Sequence, residues 1–337
     1  MNISGKKHQA DVIVKQVYRL PLGEILPTAS RFGLYIAFTF SVALFSYLRP
    51  DSFFSTTNLT AILTLAAPLV IASLGLTVAL VVNEIDLSLG SMIGLGGAMA
   101  VVLMSFCALD WKLAILCALA IAVIAGSATG AIVSFVGANS LIISLGMATV
   151  LTGMEFTLTD QRTIYEGVQS GYVALGQASF CGINLQVWIA AGLALITYVI
   201  LERTEIGRYM YAAGNNREAA FLAGVPVSAL RIAGFVASSV SGAIAGILLS
   251  AQSASAFSNA GQPYLLPAYA AAFLGSTVSR DGRFSAVGTV AAVLFIGVVQ
   301  TGLTMLQLST GSINLAQGLM LIAAVLLSLV GRRRRAA

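Results

Sequence analysis

The feature that most constrains this chain is a series of long apolar stretches, which follow one another from residue 32 almost to the C-terminus. A helix needs about 20 predominantly apolar residues to cross the hydrocarbon core of a bilayer. With 58% hydrophobic and only 9% charged residues, the chain has too few polar groups to cover a water-facing surface. The sequence therefore predicts an all-α, polytopic membrane protein with about ten transmembrane helices. The candidate spans are 32–48, 59–82, 87–106, 112–136, 140–158, 187–202, 232–252, 265–279, 286–306 and 313–331.

The distribution of lysine and arginine predicts how these spans are oriented, because basic residues accumulate on the cytoplasmic side of a membrane. If the N-terminus is cytoplasmic, 15 of the 18 basic residues lie on that side. Only Arg49, Lys112 and Arg162 lie on the other side. This asymmetry favours an even number of spans with both termini in the cytoplasm.

The same pattern divides the chain into three parts. We predict a cytoplasmic N-terminal tail (1–31), a single transmembrane domain (32–331) and a basic cytoplasmic tail (332–337). The net charge of +5 is explained by this topology and by attraction to anionic lipid head groups, so no nucleic-acid partner is needed.

Several classes of chemistry are excluded by what the sequence lacks. The single histidine, His8, lies in the polar N-terminal tail, so one chain cannot build a histidine metal site or a histidine-based catalytic triad. The three cysteines show no paired spacing. No G-x-x-x-x-G-K-[ST] phosphate loop occurs in the sequence. We therefore expect no catalytic residues, no metal and no cofactor bound by this chain, and any ATP and Mg²⁺ would be used by a separate ATPase subunit.

Two carboxylates interrupt the apolar sequence between the second and third candidate spans, at Glu84 and Asp86. At bilayer depth each carboxylate would cost roughly 2.5–3.5 kcal/mol, so it must face a cavity, pair with a cation or lie at the interface. The simplest interpretation is a short cytoplasmic turn in which Glu84 is solvated and Asp86 or Ser88 caps the next helix. The alternative is direct handling of substrate or protons by Asp86, Ser88 and the adjoining Gly90.

The longest cytoplasmic loop, residues 203–231, contains the pattern of a short amphipathic helix. Asn215 or Asn216 offers an N-cap, Glu218 lies in the first turn, and Gly224 stops the helix before Pro226. A helix this short is marginal alone, so a partner surface is expected to order it. An interfacial helix lying on the membrane is the alternative.

Polar residues inside or next to the spans are candidates for a translocation pathway. Uncharged amides offer both a donor and an acceptor, which suits neutral solutes rich in hydroxyl groups. Interhelical hydrogen bonding is the alternative explanation for each of them. The near absence of lysine and arginine within the spans argues against an anion transporter. The set comprises Asn139, Glu155, Gln252, Asn259, Gln300, Gln307, Asn314 and Gln317.

Two stretches resemble the permease subunits of bacterial ABC importers for monosaccharides, the group that includes the ribose, xylose, arabinose and autoinducer-2 transporters. The family motif Gly-Gly-Ile-Asp-Leu-Ser-x-Gly is matched by residues 85–90, whereas Asn83 and Glu84 replace its two glycines. The second match lies in 204–225, which resembles the cytoplasmic segment that docks into the ATPase subunit. By this resemblance the coupling residues are Gly207, Arg208, Gly214, Asn215, Asn216, Glu218, Ala219, Ala220 and Gly224.

The resemblance implies a multi-pass subunit of the bacterial inner membrane that moves a monosaccharide or a similar small polyhydroxy solute by alternating access. It further implies three protein partners: a cytoplasmic ATPase, a second permease chain and an extracytoplasmic solute-binding protein. The binding protein would contact the extracytoplasmic loop 159–186 and the segment 253–264. A permease for branched-chain amino acids and a proton-coupled carrier using Glu84, Asp86 or Glu155 are the alternatives.

Overall fold

A computed structural model describes residues 22–279, 282–309, 311–320 and 322, with side chains from residue 33 onward. Most of the described chain is helical. The first six helices are α1 (Leu22–Leu48), α2 (Thr56–Val81), α3 (Leu89–Cys107), α4 (Trp111–Ala131), α5 (Ser140–Thr159) and α6 (Ser170–Gln177). The remaining helices are α7 (Leu185–Arg203), α8 (Glu205–Asn215), α9 (Arg217–Leu222), α10 (Val227–Ser253), α11 (Gln262–Val278), α12 (Ala286–Met305) and α13 (311–320).

Seven helices within the described residues are long and apolar enough to cross a membrane: α2, α3, α4 with its π-helical extension to Val136, α5, α7, α10 and α12. The apolar part of α1, Gly33–Leu48, and the 17-residue α11 are shorter. The tenth predicted span, 313–331, lies mostly outside the described residues. The polytopic helical architecture is therefore confirmed, whereas the count of ten spans and the orientation of the termini stay predictions.

A small hairpin corrects the all-α expectation. Strands β1 (Ser179–Phe180) and β2 (Ile183–Asn184) pair antiparallel within the predicted extracytoplasmic loop 159–186. The connecting residues Cys181 and Gly182 have φ values of 53° and 76°, as in a two-residue hairpin turn. Asn184 then caps α7 by accepting a hydrogen bond from the backbone N–H of Gln186 at 2.9 Å.

Helix α10 occupies the centre of the bundle and packs against α2, α3 and α4. Glycine allows this close packing, since a Cβ atom at Gly246 would overlap the backbone of Ile93 in α3, and one at Gly126 would overlap the backbone of Val236 in α10. Helices α2 and α3 are largely buried, whereas α5 and α7 expose most of their surface. The short helices α8 and α9 lie at one end of the bundle, next to the C-terminal end of α2.

Candidate functional site

The predicted short helix within 203–231 is present as α9, with the caps that the sequence indicates. The side chain of Asn216 accepts a hydrogen bond from the backbone N–H of Ala219 at 3.0 Å. Gly224 has a φ of 81°, and the N–H of Val225 donates to the carbonyl of Ala220 at 3.0 Å, which closes the helix. Ala220 faces the bundle, whereas Phe221 and Leu222 are exposed. The helix therefore presents an apolar surface away from the rest of the chain.

Two glycines hold the coupling segment, defined here as residues 203–231, against the bundle. A Cβ atom at Gly207 would overlap the carbonyl of Leu201, where the chain turns from α7 into α8. A Cβ atom at Gly214 would overlap the carbonyl of Val81 at the end of α2. Arg208 makes an exposed ion pair with Glu205 one turn earlier, at 3.3 Å. Asn215, Glu218 and Ala219 are exposed on the same end of the molecule.

The acidic turn, defined as residues 82–88 between α2 and α3, meets the coupling segment through Glu84. This side chain is only 1% exposed, and its Oε1 accepts hydrogen bonds from Arg217 Nη2 at 2.6 Å and from Arg231 Nε at 2.5 Å. Arg217 Nη2 also donates to the carbonyl of Asn83 at 3.2 Å. A solvated Glu84 in a simple turn is therefore wrong, because two guanidinium groups replace the water that a buried carboxylate loses.

Asp86 shapes the start of α3, as one of the two sequence-based interpretations holds. Its Oδ1 accepts from the backbone N–H of Ser88 at 2.9 Å and from the Ser88 hydroxyl at 2.5 Å. Ser88 occupies the N-cap position, but its own side chain makes no cap bond. Asp86 is fully buried, and this burial raises the pKa of its carboxyl group, which the hydrogen bonds from Ser88 partly offset. Its Oδ2 and the nearby Ser238 hydroxyl have no hydrogen bond of normal geometry within the described residues.

The acidic turn also contacts α5. The backbone N–H of Leu87 donates to Ser144 Oγ at 3.1 Å, and that hydroxyl donates to the carbonyl of Ile85 at 3.2 Å. Asn139 begins α5 by accepting from the N–H of Leu141 at 2.9 Å. The turn is thus fixed to the coupling segment on one side and to the first turns of α5 on the other.

A second buried carboxylate, Glu155, lies near the opposite end of α5. It is 1% exposed, and its Oε1 accepts from the backbone N–H of Asn259 at 2.7 Å. Asn259 has a φ of 67°, and the neighbouring Ser258 hydroxyl bonds that of Thr159 at 2.9 Å. Glu155 therefore fixes the loop between α10 and α11, here called the outer loop and defined as residues 254–261.

The outer loop also joins the predicted extracytoplasmic loop 159–186. Ile164 and Ala256 exchange two backbone hydrogen bonds of 2.8 Å each. The carbonyl of Gln252 accepts from Gln177 Nε2 at 2.9 Å, so this bond uses the Gln252 backbone. Gly90 lies under the loop, since a Cβ atom at Gly261 would overlap its carbonyl oxygen.

A cavity of about 450 Å³ lies between α2, α11, α12 and α13, away from the coupling segment. No charged side chain of the described residues lines it. Its polar lining includes Gln300, Thr304, Asn314 and Gln317, three of which are amides from the predicted pathway set. The other candidates are distributed differently, with Asp86 and Asn139 toward the coupling segment and Gln252 and Asn259 at the outer loop.

Sequence reasoning missed the partnership of Glu84 with Arg217 and Arg231. Both arginines belong to the 15 basic residues that indicate the predicted cytoplasmic side. A charged residue in an otherwise apolar stretch requires a counter-charge, so the presence of Glu84 in the sequence indicated that a basic partner exists. The partners themselves could not be chosen by pattern, because they lie 133 and 147 positions away along the chain.

These features describe a helical membrane protein with a short helix, α9, whose Phe221 and Leu222 side chains are exposed. The family described as "Branched-chain amino acid transport system / permease component" matches residues 58–328, and the chain belongs to this family of permeases. The chain is accordingly a multi-pass protein of the bacterial inner membrane.

The similar proteins of assigned function include several sugar permeases. The ribose import permease of Haemophilus influenzae is 32% identical over 295 residues, which cover 87% of this chain and 91% of that protein. The D-allose transport system permease of Escherichia coli is 29% identical over 297 residues, covering 88% and 91%. The L-arabinose transport system permease of Escherichia coli is 29% identical over 266 residues, covering 75% and 76%. No solved structure matches the chain.

Proposed function

We propose that this chain is the membrane-spanning subunit of an ATP-driven importer that moves a monosaccharide or a similar small polyhydroxy solute into the cytoplasm. The observation that carries this proposal is the similarity to ribose, allose and arabinose permeases over three quarters or more of both chains. The chain itself is a transport subunit, and a separate ATPase binds and hydrolyses ATP with Mg²⁺.

The lining of the 450 Å³ cavity is compatible with a neutral solute. Its amides and hydroxyls supply both donors and acceptors, and it has no charged side chain in the described part of the chain. Its volume lies within the range of about 300–1,000 Å³ that is typical of small-molecule sites. A zwitterionic amino acid would leave its ammonium and carboxylate groups without counter-charges in this cavity.

The proposed assembly contains two permease chains, which are identical or different, a cytoplasmic ATPase and an extracytoplasmic solute-binding protein. Ten spans with both termini inside place α8 and α9 in the cytoplasm and the outer loop outside. The exposed Phe221 and Leu222 then face the ATPase, and the coupling residues from Gly207 to Gly224 form the docking segment. The outer loop and residues 159–186 face the binding protein.

Uptake by the reconstituted assembly tests this function. The permease, the ATPase and the binding protein are placed in proteoliposomes, and radiolabelled D-ribose, D-allose, L-arabinose and L-leucine are offered in turn. We expect ATP-dependent accumulation of at least one sugar and no accumulation of leucine. Copurification of the ATPase with the permease is expected to fall when Glu218 and Gly224 are both changed.

Import of branched-chain amino acids is the second candidate, because the matching family carries that description. ATP-dependent uptake of leucine without uptake of sugars would select it. Uptake that persists without ATP and disappears with the proton gradient would instead support a proton-coupled carrier.

A further inference from the structure

Glu84 connects α9, the helix that the ATPase contacts in the proposed function, with α10 and the acidic turn. Arg217 is the first residue of α9, and Arg231 lies in the second turn of α10. Both donate to the same oxygen of Glu84, so a single carboxylate joins α9, α10 and the acidic turn. The side chain of Arg231 is 11% exposed and that of Arg217 is 42% exposed, which leaves the link to α9 at the edge of the cluster.

The connection continues beyond Glu84 into the bundle. Its neighbours Ile85 and Leu87 bond the hydroxyl of Ser144 in α5. Asp86, two residues after Glu84, holds the start of α3 through Ser88. A displacement of the acidic turn must therefore move the first turns of α3 and α5 or break these hydrogen bonds.

Helix α9 has few other attachments through which a displacement could pass. It has six residues, most of its side chains are exposed, and only Ala220 is buried. Its N-terminus follows α8, whose Gly214 packs on the backbone of Val81, and its C-terminus leads directly into α10. Arg217 makes the side-chain link from α9 to the acidic turn.

We propose that Glu84 is a positioning residue that, through Arg217, transmits displacement of α9 to the acidic turn and from there to α3 and α5. This inference rests on the proposed function, in which the ATPase moves α9. The link depends on charge as well as on shape, because the acceptor is a buried carboxylate and the donors are guanidinium groups. A neutral side chain at 217 leaves α9 attached by its backbone but removes the bond that pulls on the turn.

The variant Arg217→Gln tests the bond between α9 and Glu84. It does not leave the buried carboxylate without a counter-charge, since Arg231 is still bonded to it. In the reconstituted assembly we expect the rate of ATP hydrolysis to stay within twofold of the wild type. Sugar uptake per ATP hydrolysed is expected to fall at least fivefold. Arg217→Lys, which keeps the positive charge, is expected to retain at least half of the wild-type ratio. Arg49→Gln, an exposed arginine far from the cluster, is the matched control and is expected to match the wild type.

A fluorescent label adjacent to the turn gives a second readout that a structural defect alone would not reproduce. Leu141, exposed in the first turn of α5, is replaced by cysteine in a chain whose Cys107, Cys117 and Cys181 are serine. We expect ATP to change the fluorescence of this label in the otherwise wild-type assembly. In the Arg217→Gln assembly we expect ATP hydrolysis to continue without that change.

Two results would overturn the inference. One is a wild-type ratio of uptake to ATP hydrolysis and a wild-type label response in Arg217→Gln. The other is a loss of ATPase copurification in that variant, which would assign Arg217 to docking. An absence of ATP-driven uptake by the wild-type assembly would refute the proposed function first, and the inference with it.

Discussion

Two buried glutamates near opposite ends of α5 are satisfied in different ways. Glu84 and Glu155 are each 1% exposed. Glu84 is bonded by two guanidinium groups from two other elements, whereas the structure gives Glu155 one backbone N–H donor, that of Asn259. The first is an ion cluster that ties a surface helix to the membrane domain, and the second is a polar contact that holds a loop.

This difference predicts how the stability of the protein responds to loss of the charge at Glu84 and at Glu155. Removing one member of a buried ion pair leaves the other uncompensated, which costs about 3–5 kcal/mol in well-buried cases. An amide oxygen can accept the same hydrogen bond from a backbone N–H as a carboxylate oxygen does. A glutamine should therefore fail at position 84 and succeed at position 155.

The largest effect is expected for Glu84→Gln, which leaves Arg217 and Arg231 next to a neutral amide. We expect the free energy of unfolding to fall by about 3 kcal/mol, at the lower end of the range because Arg217 reaches solvent. Thermal unfolding of the purified permease in detergent measures this loss. High salt should reduce the difference from the wild type, since ions screen the charge of Arg217, which reaches solvent. A variant as stable as the wild type would show that the charge pairing in this cluster contributes nothing to the free energy of unfolding.

A third carboxylate, Asp86, lies between these extremes, because its donors are a backbone N–H and a hydroxyl. Asp86→Ala removes the acceptor at the start of α3 and is expected to lower the free energy of unfolding by about 1–2 kcal/mol. Asp86→Asn keeps an acceptor and is expected to change it by less than about 0.5 kcal/mol at acidic pH, where the wild-type carboxyl group is protonated in the folded and the unfolded state.

The pH dependence of stability tests the effect of the buried charge of Asp86 separately from its role as a hydrogen-bond acceptor. Because burial raises the pKa of this carboxyl group in the folded state, its contribution to stability is present at low pH and is lost as the pH rises through the folded-state pKa. Asp86→Asn removes that dependence, so its stability relative to the wild type should increase from acidic to neutral pH. Unfolding midpoints of both chains across this range measure the effect, and parallel curves would contradict it.

Helix α9 was predictable closely, with Asn215 or Asn216 as its N-cap and Gly224 as its stop, whereas the Glu84 cluster beneath it was not. The caps at Asn216 and Gly224 depend on neighbours within a few positions, so the local sequence is sufficient to find them. The Glu84 cluster depends on which helices pack together, and periodicity carries no such information. The same limit applies to Glu155, which appeared among the polar candidates although its partner Asn259 is 104 positions away.

The ends of helices and strands also differ in how far the local sequence indicates them. The apolar stretch 232–252 belongs to a helix that begins at Val227, because Pro226 ends the preceding segment and the polar first turns of α10 lie outside the apolar window. The hairpin at 179–184 was not predicted, since two strands of two residues are too short to show an alternating pattern.

A moderate effect is expected at the neutral cap of α9, on the same helix that carries Arg217. Asn216→Ala removes the acceptor for the N–H of Ala219, and a lost N-cap costs about 1 kcal/mol of helix stability. Because α9 has only six residues, we expect a lower affinity for the ATPase in copurification. Asn216→Ser, which keeps a capping oxygen, is the control and should bind as the wild type does. Equal weakening by both variants would mean that the amide itself contacts the ATPase.

The smallest effect is expected for Glu155→Gln, which tests whether the outer carboxylate acts only as a hydrogen-bond acceptor. The glutamine oxygen can replace Oε1 as the acceptor for the N–H of Asn259, so the outer loop stays attached and the free energy of unfolding should change by less than about 0.5 kcal/mol. Glu155→Ala leaves that N–H without its partner and should cost about 1–3 kcal/mol, which provides the comparison. ATP-driven uptake by Glu155→Gln should equal that of the wild type at every pH at which the assembly is stable. If the glutamine variant instead loses uptake while the loop stays ordered, the charge of Glu155 takes part in transport, and the contrast with Glu84 would have to be drawn between two functional carboxylates.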